Sequence, residues 1–207
     1  MKRFIITITL TITITIGLYA QQVNEVQVRQ RISQVASQMK SMQCDFVQTK
    51  HVKMLNDKLV SKGKMYYQQA NKLRWEYITP YQYTFLLNDQ KVQIKSGQRN
   101  SVIDVKQNKV FREIARIMMN SVVGKSLSDT KDFRVSIAES GTEWVATLLP
   151  QRKEMKQMFQ KVILHFNKQR SMVSQVVMLE KNGDQTVIDL RNVKTNQPLN
   201  SSLFVIK

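Results

Sequence analysis

Alternation of apolar and polar positions dominates this chain. Along 73–80 it puts Leu73, Trp75 and Tyr77 on one face of a strand and Arg74, Glu76 and Ile78 on the other. Pro80, which cannot donate to a ladder, closes the run. One face is large and apolar; the other carries an adjacent pair of opposite charges suited to water. The same period predicts strands over residues 45–52, 59–68, 81–87, 91–95, 133–138, 143–149, 159–166, 173–180, 186–190 and 202–206. Turns are expected at Asn71 and Lys72, Asn88 and Asp89, Ser96 and Gly97, and Ser140 and Gly141, with a strong hairpin signal at Asn182 and Gly183.

Two stretches depart from period two. Over 23–42 apolar residues fall at Val28, Ile32, Val35, Met39 and Met42 without an intervening Gly or Pro, which predicts a helix with one buried stripe. Ile114, Ile117, Met118 and Val122 share helical spacing further on, and Gly124 is a suitable stop. The polar, basic stretch 151–157 is read as a loop or short helix. The fold class is therefore mainly β with helices (α+β): a long antiparallel meander, one N-terminal helix and one inserted helix. Met65, Tyr67, Leu73, Trp75 and Tyr77 gather on one side of a hairpin, and two helices are little cover for so many strands. A strongly bent antiparallel sheet with the helices as a lid, enclosing an apolar cavity, reconciles these facts.

The first residues bear on the compartment. Lys2 and Arg3 precede an apolar run over 4–16, followed by Gly17 and Ala20. That order reads as a signal peptide over 1–20 cleaved after Ala20, leaving one domain over 21–207. The alternation of Ile and Thr from Ile6 to Ile16 would also suit a strand, but flanking charge and position favour the leader. The run is too short for a comfortable membrane span, and no cysteine follows it to carry a lipid anchor. An exported, soluble protein is expected.

Charge and chemistry narrow the field. Lys and Arg number 32 against 15 Asp and Glu, a formal charge of +17; without Lys2 and Arg3 the mature chain keeps +15. Such a surface is drawn to anionic lipid or acidic partners. The basic residues are spread over every element and the aromatics fall on the inner face, so an exported polyanion-binding protein is the less favoured reading and no nucleic acid partner is expected. Cys44 is the only cysteine, and His51 and His165 lie far apart, so neither a disulfide framework nor a zinc cluster is expected. Cys44, beside Asp45, reads as a small hydrophobe. Gly63, Gly97, Gly124, Gly141 and Gly183 stand alone, read as turn or end positions, and form no phosphate loop. Glu76, Glu143 and Glu180 are assigned to solvent faces. No catalytic residue, metal or cofactor is expected, and an enzyme is the weakest reading. The 11 methionines, among them Met118, Met119, Met155 and Met158, offer apolar surface that re-packs around varied ligands.

Phe46, Val47 and Gln48, then Gly63 leading into Met65, Tyr66 and Tyr67, then 73–77 with Pro80, resemble the LolA family of periplasmic lipoprotein carriers. The resemblance continues through Leu87, Asn88 and Asp89, through Leu148, Leu149 and Pro150, through 159–166, and through Gly183 to Thr186 and Phe204. It implies an incomplete antiparallel barrel closed by helices around a cavity for acyl chains. It also implies a monomeric chaperone that takes acylated lipoproteins from an inner-membrane ABC lipoprotein-release complex to an outer-membrane acceptor. Phe46, Met65, Tyr67, Leu73, Trp75 and Tyr77 would line the cavity or its rim, and Ile114, Ile117, Met118 and Val122 would belong to the lid. Better-studied members carry an Arg-Pro pair before the Trp strand, whose Arg bonds to the lid. Here Gln69 and Ala70 stand in those places, and a neutral amide makes no charge-assisted contact. That departure leaves open a carrier of a non-protein lipid or lipid-linked product on the same fold.

Overall fold

The computed structural model describes residues 24–107, 119–120, 127 and 131–207. The alternating segments build one antiparallel sheet of eleven strands among these residues: β1 (Ser41–Val52), β2 (Asp57–Gln68), β3 (Lys72–Thr79), β4 (Tyr83–Asn88), β5 (Lys91–Ser96), β6 (Arg99–Asp104), β7 (Phe133–Ser140), β8 (Glu143–Pro150), β9 (Phe159–Asn167), β10 (Met172–Glu180) and β11 (Gln185–Thr195). Their order is β6-β5-β4-β3-β2-β1-β11-β10-β9-β8-β7. Two meanders are thus joined where the first strand pairs with the last, Phe46 opposite Leu190 and Gln48 opposite Ile188. The sheet is open, with β6 and β7 at its edges.

Helix α1 (Glu25–Gln38) starts where the Asn24 side chain accepts the Gln27 N–H at 3.2 Å. Its buried stripe is Val28, Ile32 and Ala36, continued by Met39, rather than passing through Val35, which is half-buried. The helix also ends earlier than its apolar spacing suggests. Met42 is already in β1, opposite Tyr67 and Thr195, because ladder pairing on both sides outweighs one more turn of helix. The stripe joins two apolar clusters. Ala36 and Met39 pack with the β1–β5 side chains, whereas Val28 and Ile32 pack with Phe133, Trp144, Leu164 and Phe166 of the second meander.

Ion-paired side chains of α1 close the β7 edge. Arg29 donates to the Val135 carbonyl at 2.8 Å, and Glu25 accepts the Ile137 N–H at 2.9 Å. Edge groups that would otherwise template another strand are occupied.

Other expectations need correction. Strand β6 was not anticipated, because its polar residues are interrupted only by the adjacent Val102 and Ile103, which do not alternate. The 151–157 stretch leads into helix α2 (Lys153–Met158), which ends one residue beyond it. The expected last strand over 202–206 is instead a 3-10 turn, Ser201–Phe204, held by the Asn200 side chain accepting from Ser202 N at 3.0 Å. This turn packs on β3 and β4. Asn88 Nδ2 donates to the Phe204 carbonyl at 2.9 Å and Gln93 Nε2 to the Lys207 carbonyl at 2.5 Å. Gly63 lies in mid-strand in β2, not in a turn. The leader, and Ile114, Ile117, Met118 and Val122 of the expected lid, fall outside the described residues. Met119, beside that run, is helical and buried against the first cluster.

Candidate functional site

Register turns three alternating positions per strand into three rows across the first meander. One row runs Met42, Tyr67, Leu73, Leu87, Val92. The next runs Cys44, Met65, Trp75, Phe85, Ile94. The third runs Phe46, Gly63, Tyr77, Tyr83. The six residues expected at a cavity, Phe46, Met65, Tyr67, Leu73, Trp75 and Tyr77, therefore share one face and one cluster. Met65 and Leu73 have no exposure at all, and Trp75 retains 7%. Met42, Cys44, Phe85, Leu87 and Val92 complete the patch. Sequence reasoning missed them as site residues, although each holds the matching alternate position in its own strand.

The missing side chain at Gly63 shapes the patch. Phe46 lies over it, with its ring 4.7 Å from Trp75 and 5.0 Å, edge-on, from Tyr77. Tyr77 in turn meets Tyr83 at 5.7 Å. The Tyr77 hydroxyl donates to Gln48 Oε1 at 2.8 Å, and burial pushes its pKa up to about 12. Trp75 lies close enough to that phenol to oppose the shift, yet its own Nε1–H makes no well-formed hydrogen bond. A buried indole donor without an acceptor costs roughly 1–3 kcal/mol in desolvation. Among the described residues it is the one fully buried side-chain donor left without a partner.

Gln69 is exposed in the β2–β3 turn, and its backbone N–H donates to the Lys40 carbonyl at 2.8 Å. The turn is thereby tied to the α1–β1 junction. Cys44 is buried and its thiol pKa is pushed up to about 12 by burial and the Asp45 carboxylate. A polar cleft of about 700 Å³ lies elsewhere, lined chiefly by positions such as Gln43, Asp45, Lys64 and Tyr66 that alternate with the buried rows. Its lining does not suit an acyl chain.

The carboxylates assigned to solvent are instead half-buried and paired. Glu76 binds Arg74 at 2.9 Å, and Glu180 binds Lys50 at 3.1 Å. Glu143 Oε2 meets His165 Nδ1 at 2.9 Å while its other oxygen accepts the Ser174 hydroxyl at 2.9 Å. Ser174 contacts the Glu143 carboxylate and the His165 backbone rather than the imidazole, so the three do not line up as a serine–histidine–carboxylate relay. The group cross-links β8, β9 and β10.

The family model for the outer membrane lipoprotein carrier protein LolA matches residues 37–207. This chain belongs to the LolA family. LolA proteins are periplasmic binding or carrier proteins for lipids or lipoproteins. Two solved structures share the fold, and a third is less similar. The Pseudomonas aeruginosa MucA/MucB complex is similar at 12% identity over 89% of this chain and 62% of that one, with a TM-score of 0.55. An uncharacterized conserved protein from Thermus thermophilus matches at 12% identity over 89% of this chain and 95% of its own, TM-score 0.54. A LolA superfamily protein from Nitrosomonas europaea gives 11%, 89%, 98% and 0.47 for the same measures. At such identities the likeness is one of fold. No curated protein matches the chain. Among the described residues of this LolA protein, no helix is long and apolar enough to cross a membrane.

Proposed function

We propose that this LolA protein is exported by its 1–20 leader and that the 21–207 domain carries the acyl chains of lipoproteins across the periplasm. In this reading it takes them from an inner-membrane ABC lipoprotein-release complex to an outer-membrane acceptor. The acyl chains lie against Phe46, Met65, Tyr67, Leu73, Trp75 and Tyr77, under a lid that includes Ile114, Ile117, Met118 and Val122. One observation carries the reading: a buried, contiguous and mainly apolar face on which, among the described residues, the Trp75 indole N–H is the one fully buried side-chain donor without a partner. Acylated lipoproteins present ester and amide carbonyls beside their methylenes, and such a carbonyl is an acceptor for that donor. At about 0.8 kcal/mol per buried methylene, one chain brings on the order of 10 kcal/mol before the cost of opening the face.

A second reading, carriage of a non-protein lipid or lipid-linked product, is favoured by Gln69, a neutral side chain exposed in its turn where family members place an Arg.

The test is mass spectrometry of what co-purifies from the periplasm with the wild type, with Trp75→Asp and with Trp75→Phe. Acylated lipoproteins on the wild type, reduced in Trp75→Phe and lost in Trp75→Asp, support the carrier. Free lipid alone moves the assignment to the second reading. An empty wild type overturns both.

A further inference from the structure

We propose that the tip of the β1–β2 hairpin is a membrane-docking element that seats this protein on an anionic bilayer. The pairing of β3 with β2 stops at Lys62, opposite Thr79, whereas β1 and β2 stay paired as far as Val52 and Asp57. The hairpin therefore runs on past β3. Every residue over 53–60 is exposed. Four of the ten exposed large apolar residues of the described chain sit on these eight positions: Met54 at 91% exposure, Leu55 at 66%, Leu59 at 55% and Val60 at 49%. An apolar group concentrated on one projecting feature marks an interaction surface, whereas scattered ones need no explanation.

The tip is held out rather than free. Lys53–Leu55 form a 3-10 turn that Asn56 ends in the left-handed region, at φ 48°. Asp184, from the β10–β11 turn, accepts the Lys53 N–H at 3.0 Å and meets Lys50 at 3.5 Å. Lys50 also meets Glu180 at 3.1 Å. These contacts brace the base of the hairpin and leave Met54 and Leu55 at its apex.

Charge selects the occupant. Lys53, Lys58 and Lys62 are exposed around the apolar apex, and the one acid among 53–62 is Asp57, whose carboxylate is turned back to the Lys58 N–H at 2.6 Å. A convex apolar apex ringed by lysine fits an interfacial lipid layer: the Met and Leu side chains enter the acyl boundary while the ammonium groups stay at anionic headgroups. The inference does not depend on what the aromatic face carries, and it goes beyond the carrier reading by giving the protein its own contact with lipid.

The probe is flotation of the cargo-free 21–207 protein with phosphatidylcholine vesicles, with and without phosphatidylglycerol, at low and high salt. The wild type is expected to float with the anionic vesicles and to lose binding as salt rises. Met54→Asp combined with Leu55→Asp should cut partitioning by at least about tenfold, and Lys53→Glu combined with Lys58→Glu by a comparable factor at low salt. Both pairs are on exposed residues, so unchanged thermal melts are expected alongside. A wild type that stays off anionic vesicles, or Asp variants that float as well as the wild type, overturns the proposal. So does a concentration-dependent dimer that the Asp variants abolish, because the apex then covers a second copy. Cargo recovered by mass spectrometry should be unaltered in the Lys53 and Lys58 variants, so failure of docking and failure of the carrier reading are separately visible.

Discussion

Replacing Gly63 by alanine puts the packing of the aromatic rows to a direct test. A Cβ at this position would overlap the Glu76 carbonyl oxygen outright and come within 2.6 Å of the Phe46 ring. Neither neighbour yields easily: one is the backbone of β3 and the other is 1% exposed. Relief requires β2 and β3 to part beside the point where their register already slips, between Lys62 and Gly63, and Phe46 to leave its place against Trp75 and Tyr77. Overpacking costs about 1–3 kcal/mol and each lost aromatic contact about 0.5–1.5, so Gly63→Ala should destabilise by roughly 2–6 kcal/mol. For a chain of this size that is a fall in Tm of roughly 5–20 °C. Calorimetry gives the shift, and near-UV circular dichroism reports Trp75 and Tyr77 losing their fixed surroundings. A Tm within about 2 °C of the wild type, with an unchanged near-UV spectrum, would refute the claim that Gly63 is required by close approach.

Cys44 should resist alkylation near neutral pH in the folded protein and react promptly in concentrated guanidinium; rapid labelling of the native form would contradict a thiol buried and held near 12. Arg29→Ala removes donors to the Leu127 and Val135 carbonyls and should cost about 1–3 kcal/mol in a urea melt. Glu25→Ala should speed exchange of the Ile137 amide, which its carboxylate accepts, and an unchanged rate would mean the β7 edge is closed by something else. The Ile137 N–H and then Arg29 hold the Glu25 carboxyl below its ordinary pKa; at Glu143 burial pushes up, but His165 and Ser174 outweigh it. Their stabilisation is therefore full above the usual carboxylate range and is lost as pH falls through the depressed values. Tm against pH should fall less steeply in acid for Glu25→Gln with Glu143→Gln than for the wild type, and parallel curves would discount both groups.

The sheet was largely legible because its strands alternate cleanly. Leu73, Trp75 and Tyr77 announce one face, and the six expected cavity residues share it. What escaped did so for identifiable reasons. Gly63 resembles turn glycines in isolation; only its place between Ser61 and Met65, on the same side of an alternating strand, distinguishes it. Asn200 and Ser202 provide a local cap that defeats the apolar run after them. Ala36 replaces Val35 in the helix stripe because Val28, Ile32, Ala36 and Met39 follow steps of four, four and three along the face that meets both clusters. The Glu143, His165 and Ser174 group depends on three strands meeting, which no local spacing encodes. The unpaired Trp75 donor has no signature in sequence either.

Met65, Leu73 and Val92 carry no exposed surface. An acyl chain arriving there would find a face that is already dry, so it must exchange places with protein groups such as Ala36, Met39 or Met119 that now cover it. Its affinity would then be set by the difference between two competing covers, not by the full burial of the chain. Small changes in the displaced helix residues would move that difference in either direction. Tight retention and easy release would be tuned from outside the aromatic rows, by substitutions that never touch the ligand.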